Sequence, residues 1–313
     1  MISKEKYSLY VTRLIKRDKN KRNVESLSLK YKFVWISLLI IGIIFFVFFA
    51  FGFVITLNKK SAIMAVISMV LFNISIIKLK YRSKTLRYYK ENYREKIINY
   101  LLKDTKHYFY EFGEIDSSTF DESQFSKGSY NRYYGKDYLV VNIPNDDNSR
   151  SNVDLRICDL NVYDETRDEE GNTSRHTCYK GMFGCVEFNS CFKCILSVDS
   201  SYKKKGVKLE KVKLEDIVFG EKFKIKASDQ IEARYILTPK MMGNLLHLEE
   251  KFNNLKIVLS GNKLYFGAPK VNLFELEDYN GDEVAIFDNL YDEIKTILAI
   301  VEELKNNNKV FNV

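Results

Sequence analysis

The chain has 313 residues, a mean hydropathy of −0.25, and 49 Lys and Arg against 41 Asp and Glu, for a net charge of +8. Residues 1–32 and 78–106 each carry ten basic against three acidic residues, and Lys59 and Lys60 add two more, so residues 107–313 are left at −8. This distribution excludes a nucleic-acid reading of the basic pI near 8.9: the positive charge flanks the most apolar runs, and the distal part would repel phosphate backbones.

Phe33–Leu57 is a run of twenty-five residues without a charge. As a helix it exceeds the hydrocarbon thickness of a bilayer, ~30 Å, at ~1.5 Å per residue. Ser61–Ile77 adds seventeen uncharged residues, at the short end for a span. A core helix of a soluble protein would need a polar face, which the first run lacks. A cleaved signal peptide would have a far shorter apolar part. Only Asn58, Lys59 and Lys60 separate the runs, which predicts a hairpin. Basic flanks are retained on the cytoplasmic side, and two turn lysines are outvoted by the sets on either side, so both termini are expected in the cytoplasm. Residues such as Arg13, Lys16, Arg17, Lys19, Lys21 and Arg22 would attract anionic lipid headgroups, at ~1 kcal/mol per charge.

Beyond the hairpin, Leu86, Tyr89, Tyr93, Ile97 and Leu101 recur at helical spacing, predicting a helix over 85–106 that continues or closely follows the second span. Residues 113–131 lose periodicity and read as a connection. Strand-like runs follow at 138–143 and 153–157, then a charged loop over 164–177, strand character over 184–198, and a lysine-rich loop at Lys203–Gly206. Phe223–Lys226 and Ile231–Leu237 are the next predicted strands. Thr238-Pro239 reads as an N-cap followed by a first-turn proline, opening a helix to about Phe252. Leu255–Leu259 and Lys263–Phe266 flank the turn Ser260-Gly261-Asn262, a hairpin. The stripe Leu290, Ile294, Ile297, Leu298, Val301 and Leu304 predicts a final helix. The expected architecture is a two-helix transmembrane hairpin followed by an α+β soluble domain with a central, mainly antiparallel sheet and flanking helices. Its divisions are a basic N-terminal segment at 1–32, the hairpin at 33–77, a juxtamembrane helix at 78–112 and the α+β domain at 113–313.

The segment Ser228-Asp229-Gln230-Ile231-Glu232-Ala233-Arg234-Tyr235-Ile236-Leu237-Thr238-Pro239, followed by Met241 or Met242, Leu245 and Asn262-Lys263-Leu264-Tyr265, resembles DUF3137, a bacterial family of unknown function. Lys180-Gly181-Met182-Phe183 with Glu187-Phe188 sits where that family has a "KGLFF…DF" segment, and Tyr133–Tyr138 resembles its "Y…GEDY" opening. The resemblance covers most of 85–305 and includes the two N-terminal spans. It implies a membrane-associated bacterial protein and brings no catalytic residues to map. Cys185 departs from the pattern, where an aromatic residue is more usual.

Five cysteines and His176 lie within 158–194, including Cys178, Cys185 and Cys191-Phe192-Lys193-Cys194. One Cys-x-x-Cys pair without a second knuckle is weak evidence for zinc, and on a strand Cys191 and Cys194 would point to opposite faces. Small thiols packed beside a sheet in a reducing compartment are the more ordinary reading, so no metal and no cofactor is expected. His107 and His247 fall on predicted helices without partners. The acidic stretch Asp164–Gly171 lacks the alternating oxygen ligands and distal Glu of an EF-hand. No phosphate loop, nucleophile elbow or zinc-helix motif occurs.

If Ile231, Ala233 and Tyr235 face a core, then Gln230, Glu232 and Arg234 line the other face of that strand and are the candidate partner-binding residues; a solvated cross-strand charge set is the bland alternative. The sequence thus leads to a membrane-anchored cytoplasmic module that binds an unknown protein or lipid, with no nucleic-acid partner. The alternative is a membrane-bound enzyme, such as a hydrolase, whose carboxylates meet only in the fold.

Overall fold

The computed structural model describes residues 2–17, 29–56, 59–105, 107–144, 152–274 and 287–311. They form two compact units, one of 2–101 with 287–289 and the other of 102–274 with 290–311. Lys19, Lys21 and Arg22 of the basic N-terminal set, and Leu57 and Asn58 at the hairpin turn, lie outside the described residues.

The first unit holds α1 (Lys4–Lys16), α2 (Leu29–Thr56) and α3 (Lys59–Leu101). In α1, Tyr7, Val11 and Ile15 recur every fourth residue and are buried, while Tyr10 stacks on Tyr100 of α3 with ring centroids 3.8 Å apart. Two helices, over Lys30–Gly52 and Lys59–Thr85, are long and apolar enough to cross a membrane. They approach each other where Gly42 meets Phe72, whose backbone nitrogen would lie 3.4 Å from an added Cβ. Ser68 and Ser75 are buried and donate within their own helix to Met64 O and Leu71 O, at 2.8 and 2.9 Å, so small residues allow contact without stranding a polar group. The predicted helix over 85–106 proves to be the distal part of α3, which contains no Gly or Pro to break it and ends at Leu101.

The second unit is built on β1 (His107–Glu111), β2 (Arg132–Ile143), β3 (Val153–Arg167), β4 (Thr173–Glu187), β5 (Leu196–Val198), β6 (Glu210–Lys211), β7 (Ile225–Ala227), β8 (Lys256–Ser260) and β9 (Lys263–Pro269). Among the described residues these make a nine-stranded sheet of order β1-β2-β3-β4-β9-β8-β5-β7-β6, antiparallel throughout. Its helices are α4 (Ser117–Ser123), α5 (Ile217–Lys222), α6 (Gln230–Ile236), α7 (Pro239–Phe252) and α8 (Asp288–Phe311). Alternation along the strands separates two faces. On one, Ile257, Leu264 and Phe266 pack with Leu248 of α7 and Ile297 and Val301 of α8, leaving a void of about 20 Å³. The other face lies under α4.

The antiparallel α+β fold and the two apolar N-terminal helices agree with the sequence expectation, and four local readings are corrected. His107 opens β1, in register with Asn142, rather than lying on a helix, so the helix expected to 112 stops at Leu101. The connection 113–131 contains α4. The charged loop expected over 164–177 is mostly hairpin: Glu165 accepts from Arg175 Nε at 2.7 Å and from Arg132 Nη2 at 3.3 Å, so its charges are paired across strands. Only 168–172 turn, with Gly171 at φ +84°. Finally, Ile231–Leu237 is not a strand but α6 and its C-cap. Asp229 Oδ1 accepts from the N–H groups of Ile231 and Glu232 at 2.8 and 3.0 Å, which starts a helix.

Candidate functional site

The densest set of electrostatically perturbed groups lies between α4 and the sheet. Asp116 caps α4, accepting from Thr119 N at 2.8 Å, Thr119 Oγ1 at 2.7 Å and Ser118 Oγ at 2.6 Å. Burial would raise its carboxyl pKa, but these donors and nearby Arg156 outweigh it and bring it down to about 2. At the other end of the helix Gln124 adopts a left-handed conformation and binds Lys203 through both its amide atoms, at 2.8 and 3.0 Å. The helix is thus held at both ends, and it drives Phe120 into a ring of Tyr130, Tyr133, Tyr179 and Phe183, with centroids 5.1–6.2 Å away.

Glu122, on the outer side of α4, reaches β9. Its carboxylate accepts from Lys263 Nζ at 2.7 Å and from the Tyr265 hydroxyl, and these bonds hold it below the usual carboxylate range. Beneath lie the thiols of Cys158, Cys178 and Cys185, all buried. Burial pushes Cys185 up to about 11 and raises Cys158 further. Burial also raises Tyr133, whose hydroxyl donates to Ile115 O at 2.7 Å, and Tyr130, which reaches about 12 beside Asp121. Arg156 is half-buried in β3; burial would lower its pKa, and Cys185, Tyr138, Asp116 and Glu187 together raise it.

The chemistry of this set follows from those directions. Asp116 and Glu122 sit below, and Cys158, Cys185, Tyr130 and Tyr133 above, their ordinary values, so at neutral pH these carboxylates stay ionised and these thiols and phenols stay neutral. Acid–base catalysis needs a group poised near the working pH, and a nucleophilic cysteine needs a thiolate. The arrangement is a clasp that fixes α4 to the sheet.

Of the candidate residues, Gln230 and Arg234 stand four apart on α6 and share a face, while Glu232, midway between them, points away from it. Gln230 Nε2 donates to Lys211 O at 3.1 Å and Arg234 Nη2 to Lys213 O at 3.3 Å, while Glu232 is half-buried in the first turn. Nor do Ile231 and Tyr235 face a core: they are 65% and 57% exposed, and Ala233 and Ile236 are the buried pair.

Cys191 and Cys194 lie on no strand. The first is exposed, and the second is buried with its thiol 3.3 Å from Ile195 O and 3.5 Å from Asp229 O. His176 stands opposite Asp164 on the β3–β4 hairpin. Among the described residues no three His, Cys, Asp or Glu side chains converge as a metal site would require. The pairing of Glu122 with Lys263 and Tyr265 escaped sequence reasoning because more than 140 positions separate Glu122 from the other two, and the run Asn262–Tyr265 that holds them does not point to a carboxylate partner. A groove of about 470 Å³, lined in part by Asp104, Asn142, Lys295 and Glu302, also opens between the end of β2 and α8; its size suits a small ligand.

No curated protein matches the chain. Among solved structures it is similar to the crystal structure of the mycobacterial trehalose monomycolate transport factor A, TtfA, at 8% identity and a TM-score of 0.35, over 69% of this chain and 94% of that one. A likeness of that size carries no functional argument. Residues 177–306, from within β4 into α8, match the family model described as protein of unknown function (DUF3137). The resemblance noted around Ser228–Pro239 and Asn262–Tyr265 thus falls inside the matched region, and over residues 177–306 the chain is similar to the DUF3137 family.

Proposed function

We propose that the chain is a membrane-anchored binding module: α2 and α3 cross a bilayer as a hairpin, and the sheet unit works on the cytoplasmic side by meeting a protein or lipid partner. The observation that carries this reading is the uncovered apolar surface of the two helices, where Phe48, Phe51, Val66 and Ile77 are 62–69% exposed. Removing apolar surface from water is worth about 25 cal/mol per Å². Helices of this length and composition are accommodated by hydrocarbon. The orientation is supported by the ten basic residues in each flank, and those same residues favour anionic headgroups. Binding rather than chemistry is supported by the clasp under α4, where Asp116 and Glu122 are held ionised and Cys158, Cys185, Tyr130 and Tyr133 are held neutral at neutral pH. Alkaline carbonate washing of membranes carrying the full chain tests the anchor. The protein should stay in the pellet and leave only with detergent; release by carbonate alone would overturn the reading.

A further inference from the structure

The apolar side chains that the sheet unit leaves in water are not scattered. Of its eight exposed large hydrophobic residues among those described, Val207, Ile217, Val218, Ile231 and Tyr235 fall within one stretch of twenty-nine positions. Ile217 and Val218 open α5 at 74% and 67% exposure, and Ile231 and Tyr235 share a face of α6. The two helices are tied together through the intervening chain: Gln230 and Arg234 of α6 hold the carbonyls of Lys211 and Lys213, which lead directly to Asp216, the N-cap of α5.

Around these residues the charge changes sign. Residues 203–226 carry nine lysines against four acidic residues, a net +5, in a part of the chain (107–313) whose total is −8. All nine lysines are exposed. Lys211 and Lys226 stand directly opposite each other in the β6–β7 pair, an arrangement that costs stability unless an anion lies between or beside them. Lysines on an edge strand also discourage unwanted strand pairing, but that role does not require bulky apolar residues beside them.

We propose that the β6–α5–α6 edge is a docking surface for the anionic face of a lipid bilayer, with Ile217, Val218, Ile231 and Tyr235 entering the headgroup layer and the lysines of 203–226 meeting lipid phosphates. Charge complementarity selects this partner: each basic residue near an anionic surface raises partitioning about fivefold. Three exposed aliphatic side chains and a tyrosine are suited to the interface between headgroup and chain. The proposal rests on the anchoring reading, since α2 and α3 supply the bilayer at high local concentration.

Its test uses the full chain in nanodiscs containing lipids with brominated acyl chains, which quench nearby indoles. The native sequence has a single tryptophan, Trp35, within α2. Quenching of Trp35 reports the anchor alone. In a Trp35→Phe background, Val218→Trp should show blue-shifted, quenched emission in discs containing phosphatidylserine. That quenching should fall in pure phosphatidylcholine and when Lys211, Lys213, Lys224 and Lys226 are changed to Gln. Glu169→Trp, at the exposed β3–β4 turn, is the unquenched control. Because a variant can misfold, acylation of the native chain provides a second reading: anionic lipid should protect the lysines of 203–226 and leave Lys180 and Lys270 reactive. If Trp35 is quenched while the indole at 218 matches the control in every disc and no lysine is protected, the docking proposal fails and the surface belongs to a protein. If Trp35 itself is not quenched, the anchoring reading fails first.

Discussion

At the scale of single residues, the sheet unit spends its reactive side chains on packing. Cys158, Cys178, Cys185 and Cys194 are buried and Cys191 is exposed. Burial keeps Cys158 and Cys185 neutral, and a neutral thiol is a poor nucleophile. Ellman's reagent should therefore titrate one thiol in the folded chain and all five in denaturant; a second fast thiol would contradict the burial. Phe120, fully buried against four aromatic rings, should cost about 3–5 kcal/mol when changed to Ala, measured by urea unfolding. Glu122 makes a smaller and pH-dependent contribution. Its folded pKa is depressed, so its stabilisation is present above the unfolded value, about 4.3, and is lost as pH falls through the folded value. Since the carboxylate is about half exposed, solvent screening limits this to about 0.5 kcal/mol or less. Glu122→Gln should thus be slightly less stable than the native chain at pH 7, with the gap closing below pH 4. A gap that widens in acid would contradict the ion pair.

At the scale of elements, legibility followed how local the determining chemistry is. The α7 helix was readable because Thr238 accepts from Met241 N and Pro239 occupies the first turn, both within four residues. The β8–β9 hairpin was readable because Gly261 takes φ +64° at the turn. By contrast, Ile231, Ala233 and Tyr235 imitate a strand alternation, while the buried set is Ala233, Ile236 and Leu237, which is helical spacing; Asp229 as N-cap decided between them. Asp229→Ala should cost about 1 kcal/mol and loosen α6, seen as faster amide exchange at Ile231 and Glu232; unchanged exchange would show that packing alone sets the helix. The site under α4 was illegible for the opposite reason, since Glu122 meets Lys263 and Tyr265 only after the sheet has formed. Close approach between strands is likewise invisible in sequence. Gly184 lies against Phe266, whose ring would be 2.1 Å from an added Cβ, so Gly184→Ala should lower stability by about 1–3 kcal/mol in a thermal melt. A neutral result would mean that the Phe266 ring has room to turn aside.

At the scale of the whole molecule, the chain divides its charge and its apolar surface by destination. Apolar helices are flanked by basic residues, and the distal part is acidic except along 203–226. This division was legible from composition alone because it needs no tertiary contact to appear. The direction in which α2 and α3 cross is the central claim of the functional reading, and thiol labelling of the full chain in intact cells measures it. Cys191 is a natural probe because it is the exposed native thiol, and Lys59→Cys in a Cys191→Ser background places a second probe at the start of α3. A membrane-impermeant maleimide added outside should label position 59 and leave Cys191 untouched until the cells are permeabilised. Labelling of Cys191 from outside, with position 59 protected, would contradict the account.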